Sequence, residues 1–465
     1  MQSYFGHIYI PNNKVIKSES ESIENFIEED YELIKGVRLF IDGDDFWVEA
    51  GIKMYGIEQF NLIKGAFTSL GYVTLLECNV VATSAGIGGH DAKISCKHVL
   101  TGIQINNEEN LTFTQLSVTM PSLRNWLDKR VFNQINIYEG DISLIKNDTI
   151  HLSTFETFSL EVGFGINYNL NKEVGLKIND SVILRIKATD KRLTLWEFID
   201  IYKKFKKLIA FISIFEIGDD NFTFFDNEVK HSNSDELVHL NFYTKQYNFK
   251  DNGIDAIKKV KHSYVEDNID SILQKWYNLH DLYDSIDLVL EKYFQPKLSL
   301  ESFFLNSCFA IEIFHRRFKK NERYSKAEFR RIKKEILSNI KDEEANKFFT
   351  DKLAYANEPS FRERLESFTE DFQMLLPHSF DSNDFIKRIV NTRNHIVHRS
   401  SSKGVISGLE LYYASFYLEA ITKLCVFREL GFNQSHILEM FSNSRDQIES
   451  MYKLNKRLQS GIQKI

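Results

Sequence analysis

Hydrophobic and polar residues alternate along the first part of the chain with the period of two that marks strands half-buried against a core. The runs VRLFIDG (37–43), FWVEAGIKMYG (46–56), GYVTLLECNVVAT (71–83), LTFTQLSVTM (111–120) and ISLIKNDTIHLSTF (142–155) carry it, with Gly, Asn and Asp between them. LEVGFGINYNL and SVILRIKAT extend it to about residue 189. These runs predict an antiparallel, sandwich-like β-rich domain over 1–189. The period lengthens at LTLWEFIDIYKKFKKLIAFISIF (193–215), which reads as a long amphipathic helix. Strand-like FTFFDNEV and ELVHLNFYTKQYNF follow, so 190–290 is a mixed α/β middle region. From about 267 the pattern is helical almost to the end, through LESFFLNSCFAIEIFHRRF, SKAEFRRIKKEILSNI, SFRERLESFTEDFQMLL, DSNDFIKRIVNTRNHIVHRS, GLELYYASFYLEAITKLCVFRELG and SHILEMFSNSRDQIESMY. Asp381 or Ser382 is placed to cap the DSNDF helix, and Gly431 to stop the one ending in FREL. The expected fold is α+β: β-rich first, then mixed, then a helical bundle over 291–465.

Composition narrows the function more than the fold. A hydrophobic fraction of 43% over 465 residues is that of a globular chain with several cores, and 5 Pro leave little room for long linkers. A net charge of −7 gives no global attraction to nucleic acid, so any such partner must meet a local basic patch. Cys78, Cys96, Cys308 and Cys425 form no CxxC and no close pair, which supports neither a zinc site nor a disulfide framework. MQSYFGHIYIPNNK lacks the basic start and apolar stretch of a signal peptide, and LIAFISIFEI (208–217) is too short to span a bilayer. A soluble, cytoplasmic protein without a membrane partner is expected.

Several motifs have both a structural and a chemical reading. TSAGIGGHDAK (83–93) has three glycines, but strand-like ISCKHVLTGIQI follows where a phosphate loop needs a helix. It reads as a turn. His90, Cys96 and His98 lie close in sequence without a fourth ligand, so no metal is expected. IDGDDFW (41–47) offers Asp42, Asp44 and Asp45 to a nucleotidyl-transfer metal, yet reads better as a hairpin turn. HRRFKKNERYSKAEFRRIKK (315–334) is the strongest basic cluster, either two solvated helix ends or a seat for a polyanion. Its candidates for RNA contact are His315, Arg316, Arg317, Lys319, Lys320, Arg330 and Arg331.

RIVNTRNHIVHRSS (388–401) poses the sharpest question. An arginine can hold a phosphate by two charge-assisted hydrogen bonds, and a histidine can exchange a proton near neutral pH. Together they suffice for RNA cleavage without a metal. The histidine takes the ribose 2′-OH proton, and the arginine stabilises charge on the phosphorane. DNA lacks that hydroxyl. Spacing alone is uninformative, because chance supplies one or two such Arg–His pairs in this composition. The chain holds two, Arg393 to His398 and Arg388 to His395. Five residues of helix also turn the side chain by about 500°, leaving Arg393 and His398 about 140° apart. Asn394 and His398 share a face better.

Context adds what spacing lacks. A polar-rich helix ending in RNHIVH precedes a short turn, SSSKG, and a long apolar helix, while FAIEIFHRR upstream carries a lone acid, Glu312. Together with YLEAITKLCVFRELG this resembles the HEPN superfamily of helical RNases, whose signature is Arg, a polar residue, a short gap and His. Arg393, Asn394 and His398 fit that form. GHIYIP, VTLLECN, HVLTGIQI and LRNWL resemble the N-terminal domain of the ApeA-type anti-phage family, which joins such a domain to a C-terminal HEPN domain. The resemblance implies a metal-independent endoribonuclease without cofactor. It acts as a dimer or higher oligomer through its HEPN domain and is released by a phage-derived trigger. Its target is structured RNA, tRNA foremost. Glu312, His395 and Arg399 are supporting candidates: Glu312 either orients Arg393 or pairs with Arg316 one turn on. A non-catalytic HEPN dimer that senses a nucleotide or phage ligand is the alternative.

Overall fold

The computed structural model describes residues 1–11, 31–52, 59–86, 89–105, 111–127, 129, 132–136, 141–144, 147–171, 175–213, 220–230, 237–245, 260–294, 298–371, 382–399, 403–433 and 435–437. The chain divides into two compact units, Met1–Lys207 with Glu216–Asn248, and Leu208–Phe215 with Phe249–Ile465.

The first unit begins with six antiparallel strands: β1 (Gln2–Pro11), β2 (Tyr31–Asp42), β3 (Asp45–Ala50), β4 (Gln59–Phe67), β5 (Gly71–Gly86) and β6 (Gly89–Thr101). Their pairing order, β6-β3-β2-β1-β4-β5, returns to its start because β5 also pairs with β6. The strands therefore close a ring and leave no edge within it. Ile8, Val37, Leu39, Val48, Ile63, Val73, Leu75, Ile94 and Val99 point inward, each at 0% exposure. Gly6 permits the tight β1–β4 approach: a Cβ there would lie 2.1 Å from the Ala66 carbonyl oxygen. IDGDDFW forms the β2–β3 turn, with Gly43 at φ 60, and Gly86 at the end of β5 pairs with Gly89 at the start of β6.

The remaining strands are β7 (Thr112–Phe113), β8 (Gln115–Thr119), β9 (Phe132–Asn136), β10 (Asp141–Leu144), β11 (Ile150–Thr154), β12 (Phe158–Asn171), β13 (Gly175–Ala188), β14 (Leu193–Thr194), β15 (Asn221–Lys230) and β16 (Leu237–Thr244). The first part of β6 pairs with β3, while its end, His98–Leu100, pairs with β16. From there the sheet runs outward as β16-β15-β8-β13-β12-β11. The β-rich antiparallel half is as the alternation predicts. Its arrangement is a closed ring continued by an open sheet, where a sandwich-like one was expected. Strands β15 and β16, from the mixed stretch, belong to that sheet. Helix α1 (Pro121–Leu127) is short. Helix α2 (Leu195–Ser213) packs Phe198 on Phe224 and Tyr202 on Phe222, with ring centroids 5.9 and 4.8 Å apart.

The second unit is helical: α3 (Ile269–Asn278), α4 (Tyr283–Phe294), α5 (Leu300–Phe318), α6 (Lys326–Ser338), α7 (Glu343–Lys352), α8 (Phe361–Asp371), α9 (Ser382–His398) and α10 (Gly408–Leu430). Side chains of Ser299, Ser325 and Asp342 cap α5, α6 and α7 by accepting backbone N–H bonds three residues on. Gly431, at φ 86, ends α10 in the left-handed conformation, as expected. Helix α9 starts at Ser382; Asp381 lies outside the described residues, as does SHILEMFSNSRDQIESMY beyond Ile437. Helix α10 is the core of the unit, with 17 of its 23 residues buried.

Candidate active site

Helix α9 runs unbroken to His398. Arg399 then adopts φ 51, a left-handed conformation that costs a non-glycine residue about 1 kcal/mol, and its N–H donates to the His395 carbonyl at 2.9 Å. The returning chain is pinned back on the helix. The Ile406 N–H donates to Thr392 Oγ1 at 2.8 Å, and that hydroxyl donates to the Arg388 carbonyl at 2.7 Å. Arg388 also grips Glu410 at the start of α10 with both guanidinium nitrogens, Nη2 to Oε2 at 2.7 Å. Arg388 is therefore a brace, and the other arginine of this helix is Arg393.

Arg393 points inward, its side chain 22% exposed. Its Nη2 lies 3.8 Å from Glu312 Oε2 on α5, its Nη1 donates to Asn394 Oδ1 at 3.3 Å, and its guanidinium sits 5.8 Å from the centre of the Phe361 ring. Glu312 also accepts from Arg316 Nη2 at 3.3 Å. Glu312 thus lies within ion-pair distance of both Arg393 and Arg316. Arg316 reaches Glu358 Oε2 at 3.4 Å, and Arg364 reaches the same oxygen at 3.3 Å. Arg364 Nη1 lies 2.9 Å from His315 Nδ1. An arginine can only donate, so Nδ1 accepts and the His315 proton sits on Nε2. Burial, reinforced by Arg364, pushes His315 down to about 4. Three guanidinium groups and two carboxylates then leave one excess positive charge beside α9, which suits an anion.

His398 is exposed at the helix end, and His395 is half-buried. Because α9 does not break between Arg393 and His398, the separation of about 140° stands. One chain presents Asn394 and His398 on one face and turns Arg393 toward α5.

The basic segment is not one surface. His315 is buried at 4% exposure, inside the bundle. Arg317 pairs with Asp281 and, at 3.1 Å, with Asp284. Lys319 lies over the Phe368 ring at 5.5 Å, and Lys320 is exposed. Arg330 and Arg331 stand on α6, where Arg331 lies 3.5 Å from Glu335. Sequence reasoning missed Arg364, Glu358 and Phe361. Their signal is the capping box at Ser360, whose N–H donates to Glu363 Oε2 at 2.7 Å while Glu363 N–H donates to Ser360 Oγ at 3.4 Å. It fixes the start of α8 and so turns Arg364, 1% exposed, into the bundle.

Cys96 Sγ lies 3.5 Å from Cys78 Sγ, and His98 Nδ1 lies 2.8 Å from Thr244 Oγ1. No group of three or more potential metal ligands occurs among the described residues. No helix among the described residues is long and apolar enough to cross a membrane.

A helical bundle bearing Arg-Asn-x-x-x-His at the end of one helix, faced by an acid from another, has the form of a HEPN domain. Residues 305–436 match the family model described as Apea-like HEPN. Residues 5–276, more than half of the chain, match that of ApeA N-terminal domain 1, and the chain belongs to this ApeA family. It is a HEPN-containing protein of the anti-phage class. No curated protein and no solved structure matches it.

Proposed function

We propose that the chain is a metal-independent endoribonuclease that acts as an abortive-infection effector in the cytoplasm. His398 takes the proton of a ribose 2′-OH. The oxygen attacks its own phosphorus, the P–O5′ bond breaks with the departing 5′-oxygen taking a proton from water, and the products carry a 2′,3′-cyclic phosphate and a 5′-OH. Arg393 stabilises the charge on the phosphorane, and Asn394 positions the phosphate from the same face as His398. Structured RNA, tRNA foremost, is the substrate class, and its loss would halt translation. Arg316, Lys319 and Lys320 supply local positive charge near the site, while His395, Arg399 and Glu312 support it. The β-rich domain senses a phage-derived cue.

The observation that carries this reading is the RNHIVH string at the exposed end of α9, beside a network with excess positive charge, in a domain matched as Apea-like HEPN. Since α9 turns Arg393 and His398 apart, two copies of the chain would complete one site. The test incubates purified protein with total cellular RNA in EDTA, beside His398→Ala and Arg393→Ala. Cleavage by the wild type alone, leaving 2′,3′-cyclic ends, is the expected result. If both variants stay fully toxic in cells, the assignment fails. A non-catalytic, ligand-sensing dimer has one observation in its favour, that Arg393 is already engaged by Glu312. Nucleotide binding by calorimetry, with intact RNA even in phage-infected lysate, would mark that outcome.

A further inference from the structure

Between α5 and α8 the chain makes an excursion that its own fold does not cover. No residue from 319 to 356 is buried, although the segment holds Phe329, Ile332, Ile336, Leu337, Phe348, Phe349, Leu353 and Tyr355. Tyr324, Ile336, Phe348, Phe349 and Tyr355 are 45, 40, 54, 44 and 78% exposed, and they make up five of the thirteen large hydrophobic side chains exposed among the described residues. Isolated helices of 13 and 10 residues are marginal in water, since most helical stability comes from packing an apolar face. An uncovered patch concentrated in this way marks an interface.

We propose that the α6–α7 hairpin docks a second copy of this chain, with the two hairpins pairing as a four-helix bundle. Phe329, Ile332 and Ile336 recur at three- and four-residue spacing on α6, as do Ala345 and Phe348 or Phe349 on α7, which is the seam such bundles bury. Charge selects the occupant. Helix α6 carries Lys326, Arg330, Arg331, Lys333 and Lys334 against Glu328 and Glu335, whereas α7 opens with Asp342, Glu343 and Glu344. Among the described residues, Arg330, Lys334, Glu343 and Glu344 form no ion pair within the chain. A two-fold axis sets α6 of each copy beside α7 of the other, so both sets find opposite charge. An RNA would meet the acidic start of α7 and leave Ile336 and Phe348 without an apolar partner. Arg330 and Arg331 are thus assigned to contact between copies.

The hairpin is clasped at its base. Arg323 N–H donates to the Asn357 carbonyl at 2.9 Å, and its Nη1 donates to the Ala356 carbonyl at 3.0 Å. Asn357 Nδ2 donates to the Tyr324 carbonyl at 3.0 Å while its Oδ1 accepts the Tyr324 N–H at 2.9 Å. Glu358 and Phe361 follow directly, and they touch Arg316, Arg364 and Arg393. Docking on the hairpin therefore fixes the wall of the candidate site. The interface does not depend on RNA cleavage, and its test uses no catalysis.

The test is sedimentation of the full chain across a concentration series. Phe348→Asp with Phe349→Asp should weaken self-association at least tenfold and lower the observed mass, with helicity and melting unchanged in the dilute sample. Two charge variants complete it: Arg330→Glu with Arg331→Glu and Lys334→Glu, and Glu343→Lys with Glu344→Lys. Each alone should associate more weakly than the wild type, and the two mixed should recover association as a heterologous pair. Unchanged mass in the Phe variant, or no recovery on mixing, overturns the proposal. So does a variant that loses binding to purified tRNA while keeping its mass, since the hairpin would then be an RNA surface.

Discussion

Helices α10 and α6 both carry large apolar side chains, and they meet opposite fates. Helix α10 buries 17 of 23 residues, polar ones included. Helix α6 has a clean apolar stripe and buries none. The difference lies in what surrounds each. Helix α10 is apolar nearly all round and central, so its polar groups must be satisfied from within: Ser415 donates to the Leu411 carbonyl at 2.8 Å and Thr422 to that of Leu418 at 2.9 Å. Glu419, at 0% exposure, sits between Lys292 and Lys423, the latter 3.0 Å away. Lys292 in turn lies 4.8 and 4.9 Å from the centres of the Phe303 and Phe416 rings. Helix α6 packs on α7, with Lys333 Nζ donating to the Thr350 carbonyl at 3.3 Å, and otherwise meets water. The same residue types therefore carry very different free energies in the two helices.

The sharpest way to break that comparison is to remove one carboxylate charge from each. Although burial alone would raise it, the flanking ammonium groups hold Glu419 below the usual carboxylate range, so its contribution is present at neutral pH and lost on acidification. Glu419→Gln leaves two buried ammonium groups without a counter-charge. It should cost about 3–5 kcal/mol near pH 7. Glu335→Gln, which loses an exposed pair with Arg331, should cost under about 0.5 kcal/mol. Denaturant unfolding of both variants checks this. Equal losses would mean that burial does not set the difference.

A second contrast separates His315 from His398, one buried beside Arg364 and the other exposed. The folded state holds His315 at about 4, whereas the unfolded chain titrates near 6.5. The unfolded state thus binds more protons between those values. Stability from this group is complete above about pH 6.5 and falls as pH drops toward 4, by up to about 3 kcal/mol. His315→Gln should flatten that part of the stability profile. A wild-type profile with no slope in this window would refute the buried neutral imidazole.

Local signals in the sequence reached the parts of the molecule set by local physics. Period-two alternation marks strands whether they close a ring or face another sheet, because either way one face is buried. Ring closure depends on β6 pairing on both edges, a long-range contact that no window contains. For the same reason the strands β15 and β16 read as part of a mixed stretch, though they extend the first unit's sheet. Gly431 was legible because only a left-handed residue ends α10 that way. Arg393 and Glu312 were legible as candidates by type, and their approach to 3.8 Å is a tertiary fact. His315 looked basic beside Arg316 and Arg317, but 100° per residue carries neighbours to different faces, and His315 faces the core. The capping box at Ser360 marks where α8 starts, but the burial of Arg364 is a tertiary fact, because an arginine is buried only where its partners are already in place.

A smaller effect than those at Glu419 and His315 concerns the return of the chain after α9. Thr392 is buried, and its hydroxyl both accepts the Ile406 N–H and donates to the Arg388 carbonyl. Thr392→Val keeps the shape and removes the acceptor, which leaves the Ile406 N–H unsatisfied in a buried position. That should cost about 1–3 kcal/mol, while Thr392→Ser keeps the hydroxyl and should cost less. The effect on activity is expected to be larger than the effect on stability. Thr392 ties down the loop that begins at Arg399, the left-handed residue directly after His398, so loosening it frees the end of the helix that presents the histidine. If His398 acts on RNA, the Val variant should lose cleavage rate at temperatures where it remains folded, and the Ser variant should retain it. Equal rates for Val and wild type would show that the loop does not position His398.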